Sequence, residues 1–302
     1  MTRKKIVSMV VIVFLVFSLS LVGCTSGSPK SSEGEKGGGE KTVSCEIGPE
    51  LTEKGDLQVG DLKVADVLSS LVLDKDMRAF LDVVFGAASD GRVKKMVFDA
   101  TQAPFYQFSM EISGAYVSPD TMKAVFDGLK KLAPADKINY NPSDYRITIA
   151  RSDDYNMAFD MAYYLSPADT LSVYVAKRMG NTSISKMGIN LGKLDGTFFK
   201  VMSSMLSTSG IDITRPQSGS HNEMLLIQSN RQGSIFLTYR IETDEESGKA
   251  IVTCIKKIVG GEMTSDGNMQ TLSSKYRGIN VTLSSESGEG GVYFILLTLQ
   301  KD

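Results

Sequence analysis

The chain has 302 residues, 42% of them hydrophobic, with 33 Lys and Arg against 35 Asp and Glu. That near balance, without a basic stripe, excludes an electrostatic footprint for nucleic acid. One histidine and three cysteines, with no Cys-x-x-Cys pair, leave zinc, thiol-redox and histidine-based metal sites short of ligands, so neither metal nor cofactor is expected.

Arg3, Lys4 and Lys5 precede an apolar run from residue 6 to 22 that is broken only by Ser8, Ser18 and Ser20. This is a charged n-region feeding an apolar h-region. Leu21-Val22-Gly23-Cys24 closes the run, and the motif resembles the lipobox of bacterial lipoproteins. The resemblance is confined to residues 1–24. It implies that residues 1–23 are a signal peptide, that the Cys24 sulfur receives a diacylglyceryl group, and that the new amino terminus is open to acylation. Each buried methylene of an acyl chain contributes about 0.8 kcal/mol, so two or three chains hold a protein firmly where one does not. The alternative is an uncleaved transmembrane helix, whose minimum length is roughly 17 residues. A membrane span, however, has no reason to end at a small residue and a cysteine before a polar tail. The expected address is therefore the extracytoplasmic face of an envelope membrane, reached through a lipid anchor.

Removing residues 1–23 leaves 279 and takes three basic residues away, so 30 remain against 35 acidic and the formal charge becomes −5. Residues 24–41 hold the lipidated cysteine and a Gly, Ser, Glu and Lys tract with nothing to bury, which predicts a disordered tether with a reach of about 20–25 Å. Export also allows Cys45 and Cys254 to pair. A bridge would close a loop of more than 200 residues, for which chain entropy allows about 5 kcal/mol at most. The alternative is two unrelated thiols, with Cys254 a small hydrophobe inside an expected strand.

The N-terminal segment, 42–104, predicts a short helix on Leu62, Val64, Val67, Leu68 and Leu71. A better helix follows, capped by Asp74 and striped by Met77, Phe80, Leu81, Val84, Phe85 and Ala88, and then a strand at 94–98. A first module, 105–180, reads as a strand at 105–113, a helix capped by Ser118 with Pro119 at its first position, and strands at 137–140, 145–151, 155–165 and 170–178. The third of those alternates most cleanly, with Tyr155, Met157, Phe159, Met161, Tyr163 and Leu165 on one side. A second module, 181–259, repeats the order. It has a strand at 183–190, a helix striped by Leu194, Phe198, Val201, Met202 and Met205, and strands at 211–214, 224–229, 234–242 and 249–258. A shift of 73 residues superposes the helices and the first strands; a shift of 78 superposes the later strands. Residues 260–302 close the chain with strands at 276–284 and 292–299, a hairpin expected to complete the sheet that the N-terminal segment starts.

The fold class that follows is α+β, with antiparallel sheets each carrying a packed helix, in two tandem helix-plus-strands modules. Tyr164, Tyr174 and Phe236 stand out of phase with the apolar sets of their strands. The second sheet face is therefore not wholly polar, and either the two sheets meet there or something else does.

No catalytic constellation emerges. His221 lies in a loop of Gly, Ser and Asn composition, with no serine on a nucleophile elbow to serve. Asp153-Asp154 and Asp244-Glu245-Glu246 read as turns between strands, without the spacing of a calcium loop. Gly288, Gly290 and Gly291 read as a hairpin turn. Met157, Phe159, Met161, Met202 and Met205 could line an adaptable apolar pocket, although their spacing is equally that of core filler. The reading that results is a non-enzymatic, membrane-anchored envelope lipoprotein that binds or assembles with an envelope protein. The alternatives are a carrier of an apolar or small ligand, and a hydrolase with carboxylates that the sequence does not pair.

Overall fold

The computed structural model describes residues 45–73, 75–86, 91–100, 105–114, 117–150, 157–164, 170–178, 188–214, 222–229 and 234–302. Cys24, the tether, His221, Asp153-Asp154 and the expected cap Asp74 lie outside these residues.

Strand alternation sets the architecture. In the strand Ile235–Asp244 the side chains of Ile235, Leu237, Tyr239 and Ile241 are buried, while Phe236, Arg240 and Glu242 between them are half-exposed. The same period-2 pattern runs through Val292–Lys301 and, after a bulge between Val93 and Lys95, through the rest of Arg92–Asp99, giving each strand one core face. Fourteen strands are described: β1 (Leu71–Val72), β2 (Arg92–Asp99), β3 (Phe105–Ser113), β4 (Ile138–Asn141), β5 (Arg146–Ile149), β6 (Met157–Tyr164), β7 (Thr170–Arg178), β8 (Gly188–Ile189), β9 (Asn222–Ser229), β10 (Ile235–Asp244), β11 (Met263–Asp266), β12 (Met269–Tyr276), β13 (Ile279–Ser287) and β14 (Val292–Lys301). The helices are α1 (Pro49–Thr52), α2 (Val64–Ser70), α3 (Lys75–Phe85), α4 (Pro119–Leu129), α5 (Thr197–Thr208) and α6 (Glu245–Val259).

The α+β class and the antiparallel pairing are as the sequence predicts, but the two expected sheets are one. Twelve strands form a single antiparallel sheet in the order β11-β12-β13-β14-β10-β9-β2-β3-β7-β6-β5-β4, and β1 pairs with β8 separately. The order reads the same way outward from the β2–β9 pair. Each half is built as helix, two strands, helix, four strands: α3-β2-β3-α4-β4-β5-β6-β7 over 75–178, and α5-β9-β10-α6-β11-β12-β13-β14 over 197–301. The duplication is therefore present with a different phase. The first helices of the two halves start at 75 and 197, a separation of 122 rather than 73 or 78.

Two misread segments explain the slip. Residues 211–214 form no strand and end in a turn at 213–214, and residues 249–258 belong to α6. The β-branched content of 249–258 suggests a strand, yet its ends carry helix signals. The Asp244 carboxylate accepts the Ser247 N–H at 2.8 Å as an N-cap. Glu245 and Glu246 occupy the first turn and Lys256 and Lys257 the last, each favourable to the helix dipole. The acidic triplet is thus a helix start and not a loop between strands. In the first half Ser118 caps α4 as expected, accepting the Thr121 N–H at 3.1 Å ahead of Pro119. The C-terminal hairpin extends β10 through β14 and does not join the N-terminal strand β2, which lies at the middle of the sheet.

The helices pack on one face. Phe80 of α3 meets Phe159 of β6 with ring centroids 5.9 Å apart. Helix α6 lies on the second half, where a Cβ at Gly248 would come within 2.2 Å of the Tyr293 ring. Such overlap is not relieved by small shifts, so Gly248→Ala is expected to lower the unfolding free energy by about 1–3 kcal/mol, read from urea unfolding curves.

The N-terminal arm is fastened to the same half. Cys45 and Cys254 are joined in a disulfide across 209 positions of sequence. The Tyr276 hydroxyl donates to the Leu51 carbonyl at 2.6 Å, and the Arg277 guanidinium donates to the Glu50 and Gly55 carbonyls at 2.8 and 3.1 Å. Arg277 and Gly278 form the two-residue turn between β12 and β13, both with positive φ (47° and 77°), the geometry that matches strand twist in a tight hairpin.

Candidate functional site

Two features stand out: the sheet face opposite the helices, and a small cavity at the junction of the halves. Continuous pairing places one residue from each of ten strands in a row across the open face, from Thr282 through Thr298, Thr238, Leu226, Val97, Ser109, Tyr174, Asp160 and Thr148 to Asn139. The row crosses the junction at Leu226 and Val97, both half-buried. Around it lie Phe236 and Leu296 on the second half. On the first half Tyr164 is 53% exposed. Ion pairs frame this surface, Arg146 with Asp160 on β5 and β6 and Arg240 with Glu242 on β10. Tyr164, Tyr174 and Phe236 thus share the face that their phase predicts. The half-sheets do not meet there, because they lie side by side in one sheet.

The cavity holds about 30 Å³ and is lined by Phe98 and Asp99 of β2, Gln107 of β3, Ile189 of β8, Leu225 of β9 and Ile213, together with Glu223 and Tyr239. Glu223 comes from β9 and Tyr239 from β10, two positions along from each other's partners: Tyr239 pairs with Leu225 and Glu223 with Ile241. The Glu223 backbone carbonyl accepts the Ala100 N–H at 2.8 Å and so closes the end of the β2–β9 junction. Its side chain is buried, and that desolvation pushes the carboxyl up to about 7, with the Tyr239 hydroxyl pulling the other way and the Asp212 charge adding to the rise. Burial also pushes the Tyr239 hydroxyl well above the usual phenol range. The hydroxyl and the carboxyl couple electrostatically, but the hydroxyl forms no hydrogen bond of ordinary geometry. It is the unpartnered buried side-chain polar atom among the described residues.

Sequence reasoning places neither residue in a site, assigning Glu223 to a loop. The available signal was phase. Glu223 keeps step with Leu225 and Ile227 on the buried side of β9, where a carboxylate is out of character.

The expected pocket residues do not come together. Met157, Phe159 and Met161 lie on β6, the fourth strand out from the junction in the first half, whereas Met202 and Met205 lie on α5 of the second. All five are packed in the core and line neither the cavity nor the larger basin described next. That basin, of about 540 Å³, is open and polar, with Asp61, Asp66 and Asp195 balanced by Lys63, Lys193 and Lys200. Among the described residues no group of three or more acidic, histidine or cysteine side chains could hold a metal ion. The junction cavity is far below the roughly 300–1,000 Å³ of a small-molecule site. Glu223 and Asp99 both line it, but no sugar ring fits between them.

No protein family and no curated protein matches the sequence. Among solved structures the chain is similar to the di-domain ARO/CYC StfQ from the steffimycin biosynthetic pathway, at 7% identity and a TM-score of 0.12, covering 76% of this chain and 82% of that one. It is also similar to the di-domain ARO/CYC BexL from the BE-7585A biosynthetic pathway, at 9% identity and a TM-score of 0.11 with the same coverage. Likenesses this slight carry no argument about fold or chemistry. What stands is an α+β protein built on one duplicated antiparallel sheet.

Proposed function

We propose that this is a non-enzymatic cell-envelope lipoprotein, anchored through Cys24, whose duplicated sheet serves as a binding or assembly module for an envelope protein. The observation that carries the reading is the open sheet face, a mixed surface on which half-buried Leu226 and Val97 meet across the junction between Thr238 and Ser109, with Phe236 and Leu296 on one half and Tyr174 and Tyr164 on the other. A patch that mixes apolar area with framing ion pairs suits a protein partner better than a small ligand. The lipobox supports the anchor. No helix among the described residues is long and apolar enough to cross a membrane. A carrier function has less support, because the methionines expected to line its pocket are core residues.

Cys24→Ser is expected to remain unlipidated and to leave the membrane fraction, read by metabolic labelling with a fatty acid and by sedimentation. A variant still labelled and still sedimenting with membranes contradicts the anchor. A photoreactive residue at Tyr164 or Phe236 is expected to crosslink one envelope protein in intact cells, while the same probe at the edge position Asp266 is not. Equal labelling from both positions contradicts the docking face.

A further inference from the structure

The cavity where the halves join is the strongest remaining feature, and it differs in kind from the open face. A cavity of roughly 10–15 Å³ on this measure admits one water molecule, so about 30 Å³ admits two and excludes anything as large as an aromatic ring. Tyr239 is 2% exposed, and its hydroxyl is buried beside this space with no partner among the described residues. Buried hydroxyls in folded proteins are nearly always hydrogen-bonded, either to protein or to ordered water. Water requires polar neighbours, and here it has the Glu223 carboxyl, with Asp99 and Gln107 also lining the space.

We propose that the cavity is a hydrated proton site in which two ordered waters bridge the Tyr239 hydroxyl and the Glu223 carboxyl, and in which Glu223 exchanges one proton with solvent. The proton arrives on hydronium and bonds to a Glu223 carboxyl oxygen; the carboxylate becomes a neutral acid and one water is released, with no other bond altered. The groups facing Glu223 are Tyr239 from β10, Asp99 from β2, Gln107 from β3 and Asp212 from the turn after α5. No basic side chain is among the described residues of the lining. Among these described residues no cation holds the carboxylate charged, and the proton is retained toward neutral pH. When it leaves, a bare negative charge sits at the end of the one strand pair that joins the halves. The junction is thereby sensitive to pH.

The test uses the full exported protein, as wild type, E223Q and Y239F. The Glu223 carboxyl carbon, assigned by its loss in E223Q, is followed by NMR from pH 4 to 9, and the Tyr239 hydroxyl proton is examined for a cross-relaxation signal from long-lived water. A carboxyl titrating near neutrality, together with that water signal, is expected. The urea midpoint of the wild type is expected to fall between pH 5 and pH 8, that of E223Q to stay level, and Y239F to unfold at lower urea because a hydrogen bond to water is lost. A carboxyl titrating at 4–5, or a midpoint for Y239F above that of the wild type, overturns the proposal; the latter is the result for a dry cavity. If E223Q does not fold, the wild-type titration and the Y239F midpoint decide.

Discussion

Serine at both Cys45 and Cys254 is expected to lower the unfolding free energy by about 4 kcal/mol. The two cysteines are 209 positions apart, and loop-closure entropy for a ring of that length gives an upper figure of about 5 kcal/mol. The native state itself should change little. The arm keeps its other fastenings, namely the Leu57 N–H to the Arg277 carbonyl at 2.9 Å and the Tyr276 hydroxyl to Leu51, so the loss falls mainly on the unfolded chain, which becomes freer. Urea unfolding of the double variant, compared with wild type with and without reductant, checks this. Reduced wild type should unfold with the variant. Coincident curves for oxidised wild type and the variant would mean that the bridge does nothing for stability.

Glu223→Gln is expected to raise stability at pH 8 by about 3 kcal/mol and to leave it nearly unchanged at pH 4. The carboxyl is raised from 4.5 to about 7 by burial, and each tenfold change in proton affinity corresponds to about 1.36 kcal/mol. The sign follows from proton counts. Below 4.5 both the folded and unfolded states are protonated and no penalty exists. Between 4.5 and 7 the unfolded chain ionises first, so stability falls as pH rises; above 7 the full penalty is present. Glutamine copies the neutral acid and does not titrate. Chemical unfolding across pH 4 to 8 should therefore show a wild-type slope that the variant lacks.

Much of the fold was legible because buried faces impose a period. The stripe Met77, Phe80, Leu81, Val84 and Phe85 predicts α3, and all five side chains are buried. Strand β7 falls at 170–178 as the alternation predicts. Helix α6 carries a helical period, since Ile251, Val252, Ile255 and Val259 fall on one stripe, but the stripe is built of residues that favour strands and the strand reading follows from their propensity. Local propensity there is overruled by packing on β10, β12, β13 and β14. With α6 misread, the repeat slid to the wrong phase. The junction cavity was beyond sequence altogether, since it depends on Glu223 and Tyr239 being brought beside Asp99 and Ile213 by pairings that cross from one half to the other.

The sulfur bridge also decides how the protein bears a pull. Force entering the chain from its amino-terminal side reaches Cys45 and crosses directly into α6, which lies against four strands of the second half. Under oxidising conditions a tug therefore does not strip the leading arm and then β2 out of the middle of the sheet; that unzipping becomes available only after reduction. Constant-force stretching should accordingly show an early, low-force extension in reductant that is missing without it.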